Sequence, residues 1–202
     1  FVANGDSAVV KDLGIEDSYF YGKYQGNRDP NIGSIFATTT TTAAYIKISN
    51  CYTNATIEGW GVIGGLVGWN GSKMIIENSH NSGKIRTKIS ASAGGLVGNS
   101  GNDTLFIINS YNSANIKGGG SAAGLASTTR VLQVKNSYNS GSLSSDESSV
   151  AGLIGSIQGI DRYPRIPEYS NIIQSYNTGK LYSATGDIGG LVTTVNGYFF
   201  AK

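Results

Sequence analysis

A short pattern returns along this chain about every 30 residues. Asn78-Ser79-His80-Asn81-Ser82-Gly83 comes back as Asn109-Ser110-Tyr111-Asn112-Ser113-Ala114, as Asn136-Ser137-Tyr138-Asn139-Ser140-Gly141 and as Gln174-Ser175-Tyr176-Asn177-Thr178-Gly179. Between successive copies lies a second signature: Gly64-Gly65-Leu66-Val67-Gly68, Gly94-Gly95-Leu96-Val97-Gly98, Ala123-Gly124-Leu125-Ala126, Ala151-Gly152-Leu153-Ile154-Gly155 and Gly189-Gly190-Leu191-Val192. A fixed period of this length constrains the fold to an array whose units bury their apolar faces against their neighbours.

The slots are chemically consistent. Before each aromatic position sits a small residue, among them Cys51, Ser79, Ser110, Ser137 and Ser175. Aligning Tyr19 with Tyr52 and its successors places Ser18, Gly22 and Tyr24 in the same slots of a degenerate first copy. Each copy contains about three short extended runs, as near Met74–Glu77, Lys84–Thr87 and Gly95–Val97, separated by Gly, Asn and Ser. No window carries helical apolar spacing. The expected fold is therefore all-β: a parallel β-helix (β-solenoid) of about six coils of ~30 residues with essentially no helix, spanning 1–202 as one domain. Aliphatic slots fill its interior. Asn81, Asn112, Asn139 and Asn177 form a structural ladder, and Tyr111, Tyr138 and Tyr176 stack beside them. A β-propeller competes less well, because its blades need about 40 residues and four strands.

Composition fits an ordered repeat. Glycine contributes 29 of 202 residues, about twice the usual share, and charged residues only 14%. The net charge of +2 gives no reason to expect nucleic acid. The single cysteine excludes an intrachain disulfide. No apolar run is long enough to insert into a membrane, and no signal-peptide pattern is present. The chain starts at Phe1 and holds one methionine, Met74, so it reads as a piece of a longer polypeptide with any targeting segment outside it.

The pairing of Asn-Ser-Tyr-Asn-Ser-Gly with Gly-Gly-Leu-Val-Gly resembles the GLUG repeat family, from Val10 to Val192. That family occurs in secreted and cell-surface proteins, mostly bacterial, including adhesin-like and IgA-peptidase-type polypeptides. The resemblance implies an extracellular repeat region and transfers no catalytic residue.

The residues outside the repeat slots offer few sites. The acidic side chains Glu58, Glu77, Asp103, Asp146 and Asp187 fall in different slots, so no acid/base pair or calcium site is expected. His80 stands in an aromatic slot and reads as a substitute for tyrosine in the stack. Cys51 reads as a buried, inert thiol. No catalytic, cofactor or metal site is expected. The best binding candidate is the insertion 156–169, which makes the interval from Leu153 to Tyr176 the longest of its kind. It carries Asp161, Arg162, Tyr163, Arg165, Glu168 and Tyr169, residue types suited to a binding loop, against the plainer reading of a tolerated decoration. Lys84, Arg86 and Lys88 alternate along one strand, with Lys23 and Lys180 in the slot of Lys84; they read as a solvated face rather than a polyanion track. Asn54, Asn70 and Asn102 begin glycosylation-type triplets, at a frequency expected by chance in so Asn- and Ser-rich a chain.

The function expected from these features is a non-enzymatic, extracellular, secreted or surface-displayed stalk or interaction module. Its partner would be a host or bacterial surface protein or a glycan. Two alternatives stand beside it. One is a carbohydrate-binding or carbohydrate-processing β-helix that uses the insertion. The other is end-to-end self-association into a fibre, because truncated arrays expose strand edges.

Overall fold

Short β-prone runs between Gly- and Asn-rich corners leave the chain one way to satisfy its backbone: lateral pairing of like segments. The computed structural model describes residues 2–5, 8–24, 26, 29–39, 45–88, 90–159, 169–196 and 199–202. Among these residues the regular elements are strands, with no helix, and the strand pairs are parallel. Each strand pairs with its equivalent in the neighbouring repeat copy: Met74 lies beside Ile46 and Leu105, and Ile85 beside Ile57 and Ile116.

The strands form several parallel sheets. A 12-stranded curled sheet contains Tyr45–Ser49, Lys73–Glu77, Val97–Ile108 and Ala126–Lys135. A six-stranded tyrosine sheet is built from pairs such as His80–Asn81, Tyr111–Asn112 and Tyr138–Asn139. A second six-stranded sheet, here the cationic sheet, runs from Tyr19–Gly22 through Lys84–Thr87 and Asn115–Gly118 to Leu181–Ser183. A five-stranded glycine sheet holds Ile63–Gly64, Ala93–Gly94, Ala122–Ala123, Val150–Ala151 and Ile188–Gly189. A copy thus holds more than the three runs expected. The additions, such as His80–Asn81 and Ala93–Gly94, are 2 residues long.

The leucine slot keeps its sequence alignment: the amides of Ile35, Leu66, Leu96, Leu125 and Leu153 donate to the carbonyls of Leu66, Leu96, Leu125, Leu153 and Leu191. The first copy does not. Gly14, not Tyr19, lies opposite Tyr52, and Tyr19 pairs with Thr56. The aromatic identity of Tyr19 misleads the alignment. The ring of Tyr52 lies over Gly14, where an added Cβ would meet its Cζ at 2.4 Å. Phe20 therefore takes the interior slot assigned to Tyr24, and Tyr24 instead tilts against Trp60 at 5.4 Å.

Apolar side chains fill two buried clusters, one around Leu66, Met74, Leu96, Leu105 and Leu132, the other around Ile57, Ile63, Ile85 and Ile116. Burial of each such side chain contributes about 1.5–3 kcal/mol. The buried Asn residues stand against the glycines of the second signature. A Cβ at Gly95 would meet Cγ of Asn112 at 2.5 Å, and one at Gly124 would meet Cβ of Asn139 at 2.6 Å. The two sequence signatures recur together because one occupies the space that the other leaves open.

Candidate functional site

Each residue of the repeated pattern makes its own row along the array. Asn78, Asn109 and Asn136 turn the corner with φ of 49°, 49° and 50°, a left-handed conformation that Asn tolerates better than most residues. Their amides link across copies: Asn109 Nδ2 donates to Asn78 Oδ1 at 3.3 Å and Asn136 Nδ2 to Asn109 Oδ1 at 3.1 Å. Asp12, Asn50 and Gln174 hold the same corner at φ 56°, 52° and 50°. The sequence reading passed over this row, although Asn recurring two residues before an aromatic was a usable signal.

Next comes the small-residue row. The backbone N–H of Cys51 donates to Ser79 Oγ at 3.0 Å, and those of Ser79, Ser110 and Ser137 donate to the following hydroxyls at 3.1 Å. Cys51 is buried, and that burial raises its thiol pKa, which keeps it protonated and unreactive.

The aromatic row stacks face to face on the outer surface. Ring centroids of Tyr52, His80, Tyr111, Tyr138 and Tyr176 follow at 5.4, 4.5, 4.9 and 5.1 Å, with interplanar angles of 10° or less. Tyr52 closes the row by donating its hydroxyl to Glu16 Oε1. Partial burial lowers the His80 pKa below 6.5. Burial, reinforced by the neighbouring Tyr111 and Tyr176, raises that of Tyr138 above 10.0.

Behind the rings, Asn112 Nδ2 donates to Asn139 Oδ1 at 2.7 Å, and Asn139 Nδ2 donates to Asn177 Oδ1 at 2.7 Å. Asn81 Nδ2 donates to the Gly95 carbonyl at 2.9 Å. These side chains spend their hydrogen-bonding capacity inside the array.

The outer face of the cationic sheet is different, because its side chains point to solvent. Alternation buries Ile85, Ile116 and Leu143 and exposes Lys84, Arg86, Asn115, Lys117 and Ser142. Register puts Lys84 beside Asn115; the bonds from Ile116 N–H to the Ser142 carbonyl and from Leu143 N–H to the Lys180 carbonyl carry the slot on through Ser142 to Lys180, and the outer slot next to it runs Arg86, Lys117, Ser144, Tyr182. Tyr19, not Lys23, holds the slot of Lys84 in the first copy. Together these residues line an open depression of about 310 Å³. Arg86 pairs with Glu58 at 3.7 Å and Lys117 with Asp146 at 2.9 Å. Lys84 and Lys180 have no carboxylate partner among the described residues. Lys117, Ser144 and Tyr182 were not singled out by sequence, because their proximity depends on a register that only strand pairing reveals.

Of the insertion candidates, Asp161, Arg162, Tyr163, Arg165 and Glu168 lie outside the described residues. Tyr169 is described: it is 43% exposed, its ring tilts against Phe200 at 5.7 Å, and its carbonyl accepts from Gln133 Nε2 at 2.7 Å. Asn70, in one glycosylation-type triplet, is buried and donates to Ser100 Oγ at 2.9 Å, so its amide is no surface acceptor. Among the described residues no group of three or more His, Cys, Asp or Glu side chains could hold a metal, and no helix is long and apolar enough to cross a membrane. The chain matches no family model, and neither a curated protein nor a solved structure matches it significantly.

Proposed function

We propose that this chain is a stretch of parallel β-solenoid of the GLUG repeat type, serving as a non-enzymatic, extracellular stalk or interaction module. One observation carries the reading: equivalent residues of successive copies bond to one another, slot upon slot, in parallel register. Side chains committed to copy-to-copy bonds are unavailable for chemistry on a substrate. The same bonds make each copy a sufficient platform for the next, so length is added by repetition. A rigid element of adjustable length suits a stalk, and its solvent-facing slots are free to vary and to bind.

In-frame duplication of residues 94–122, one full period, tests the architecture. It is expected to lengthen the particle in small-angle scattering by about 5 Å while it stays folded. A duplicated copy that loops out, leaving length unchanged, would overturn the reading. A surface location is tested by fractionating cells that express the full-length polypeptide and probing intact cells with antibody to this region. Signal only after lysis would count against it.

End-to-end self-association is a second reading, supported by the exposed apolar surface around Ile188. Ile188 is 52% exposed, whereas its slot-mates Ile63, Ala93, Ala122 and Val150 are fully buried. Light scattering across a concentration series tests it, with growth in mass expected and a constant monomer mass excluding it.

A further inference from the structure

We infer that the outer face of the cationic sheet is a binding site for a linear acidic polysaccharide, a sugar polymer bearing carboxylates or sulfates. The inference deepens the reading of the chain as a non-enzymatic interaction module and rests on it for that description, while the site itself rests on the groove.

Lys84 and Lys180 occupy one slot at the groove's two ends, separated by three strand spacings, or about 14 Å. Between them in that slot stand Asn115 and Ser142, which can both donate to and accept from hydroxyls. Alongside run Arg86, Lys117 and Ser144, ending at Tyr182, which is 61% exposed. A polymer lying across the strands therefore meets a cation, an amide, a hydroxyl and a cation in turn, with a flat aromatic face at one end. Sparse negative charges separated by hydroxyl groups match that order.

Charge balance selects among polyanions. Glu58 and Asp146 rim the groove, each already paired with a groove cation. Nucleic acid packs its phosphates densely and is held by closely spaced cations; here the intervening carboxylates would repel it. An acidic sugar chain places fewer charges over the same length and can align them with Lys84 and Lys180, which have no carboxylate partner among the described residues. The exposed pairs of Arg86 and Lys117 are weak enough in water to exchange one anionic partner for another. The groove sits where alternation already exposes side chains, so binding asks for no rearrangement of the stacked interior.

The test measures binding of the full chain by calorimetry to polygalacturonate and to heparin, the carboxylate and sulfate arms, with neutral dextran and single-stranded DNA as comparators. Binding to at least one acidic glycan is expected, weakening with added salt. K84Q/K180Q should reduce it at least about tenfold, while K135Q, on the 12-stranded sheet, should leave it unchanged. Y182A should weaken glycan binding by a smaller factor. All these positions are exposed, and an unchanged circular dichroism spectrum and urea midpoint will show that each variant stays folded. The site is refuted by no binding, by equal binding to dextran, by indifference to K84Q/K180Q, or by preference for DNA. New reducing ends or unsaturated products would have a separate meaning. With K84Q/K180Q still abolishing binding, they would sustain the site and overturn the non-enzymatic reading.

Discussion

Asn139 is bonded to the copies on both sides of it: it accepts from Asn112 at 2.7 Å, and donates to Asn177 at 2.7 Å and to the Gly141 carbonyl at 2.9 Å. Asn139→Ala would strand these buried groups, at a cost on the order of 2 kcal/mol. Asn177 is half-buried and bonds across copies only to Asn139, its other bonds being to Gly179 of its own copy, so Asn177→Ala should cost less, about 1 kcal/mol. Urea midpoints of the two variants read the difference, and equal losses would show that the row contributes nothing between copies. His80 offers a test by pH. Its ring lies between Tyr52 at 5.4 Å and Tyr111 at 4.5 Å, where partial burial favours the neutral imidazole and lowers its pKa from 6.5. A lowered folded pKa means that the stabilising contribution is complete above 6.5 and is lost as pH falls through the folded value. Relative to H80Y, the native chain should thus lose stability as pH falls below 6.5. Parallel losses in both proteins over that range would remove His80 from the acid response.

At the scale of the element, the glycine wall shows why the two signatures travel together. A Cβ on Gly152 would meet the Gly190 carbonyl oxygen at 1.9 Å, whereas one on Gly190 has nothing within 4 Å. The slot is the same; only the next copy differs. Gly152→Ala should destabilise by about 3 kcal/mol and Gly190→Ala should stay within about 1 kcal/mol of the native chain, measured as thermal midpoints. A tolerated Gly152→Ala would mean that the copies do not press together there. The same physics sets what could be read from the sequence. The leucine slot was legible because a small residue, mostly glycine, recurs there for close approach beside an aliphatic side chain for burial. The all-β character was legible because no apolar run has helical spacing. Strands such as His80–Asn81 and Ala93–Gly94 were not, since 2 residues carry no periodicity. The first copy was misaligned because Tyr19 matched the aromatic slot in chemistry, whereas the slot there required the bare backbone of Gly14 under the Tyr52 ring. Lys84 and Lys180 already shared a slot in the sequence; the groove stayed hidden because the neighbouring slot, Arg86, Lys117, Ser144 and Tyr182, mixes residue types and shows no repeated chemistry.

For the whole molecule, stability is a sum of copies and the contacts between them, so the two sides of a copy matter equally. Leu66, Leu96, Leu125 and Leu153 have neighbours on both sides and are fully buried; Leu191, in the same slot of the last copy, is only partly so. Ile188 at 52% exposure makes the contrast sharper. A copy that contacts one neighbour holds its strands with about half the interface of an interior copy, and opens locally at lower free energy. Hydrogen exchange should therefore run as a gradient: amides in Leu181–Ser183 and Val192–Val195 exchange first, while those in Lys84–Thr87 and Asn115–Gly118 wait for global unfolding. Amides in the middle should slow together with rising stability, and the terminal ones should not. Uniform exchange along the array would show instead that it opens as one cooperative unit, with coupling between copies stronger than the stability of any single copy. The gradient also bears on the groove, since Lys180 and Tyr182 sit on the copy that frays and Lys84 on one that does not. A ligand bridging Lys84 and Lys180 must hold the last copy closed, so an acidic glycan should slow exchange at Leu181–Ser183 more than at Lys84–Thr87.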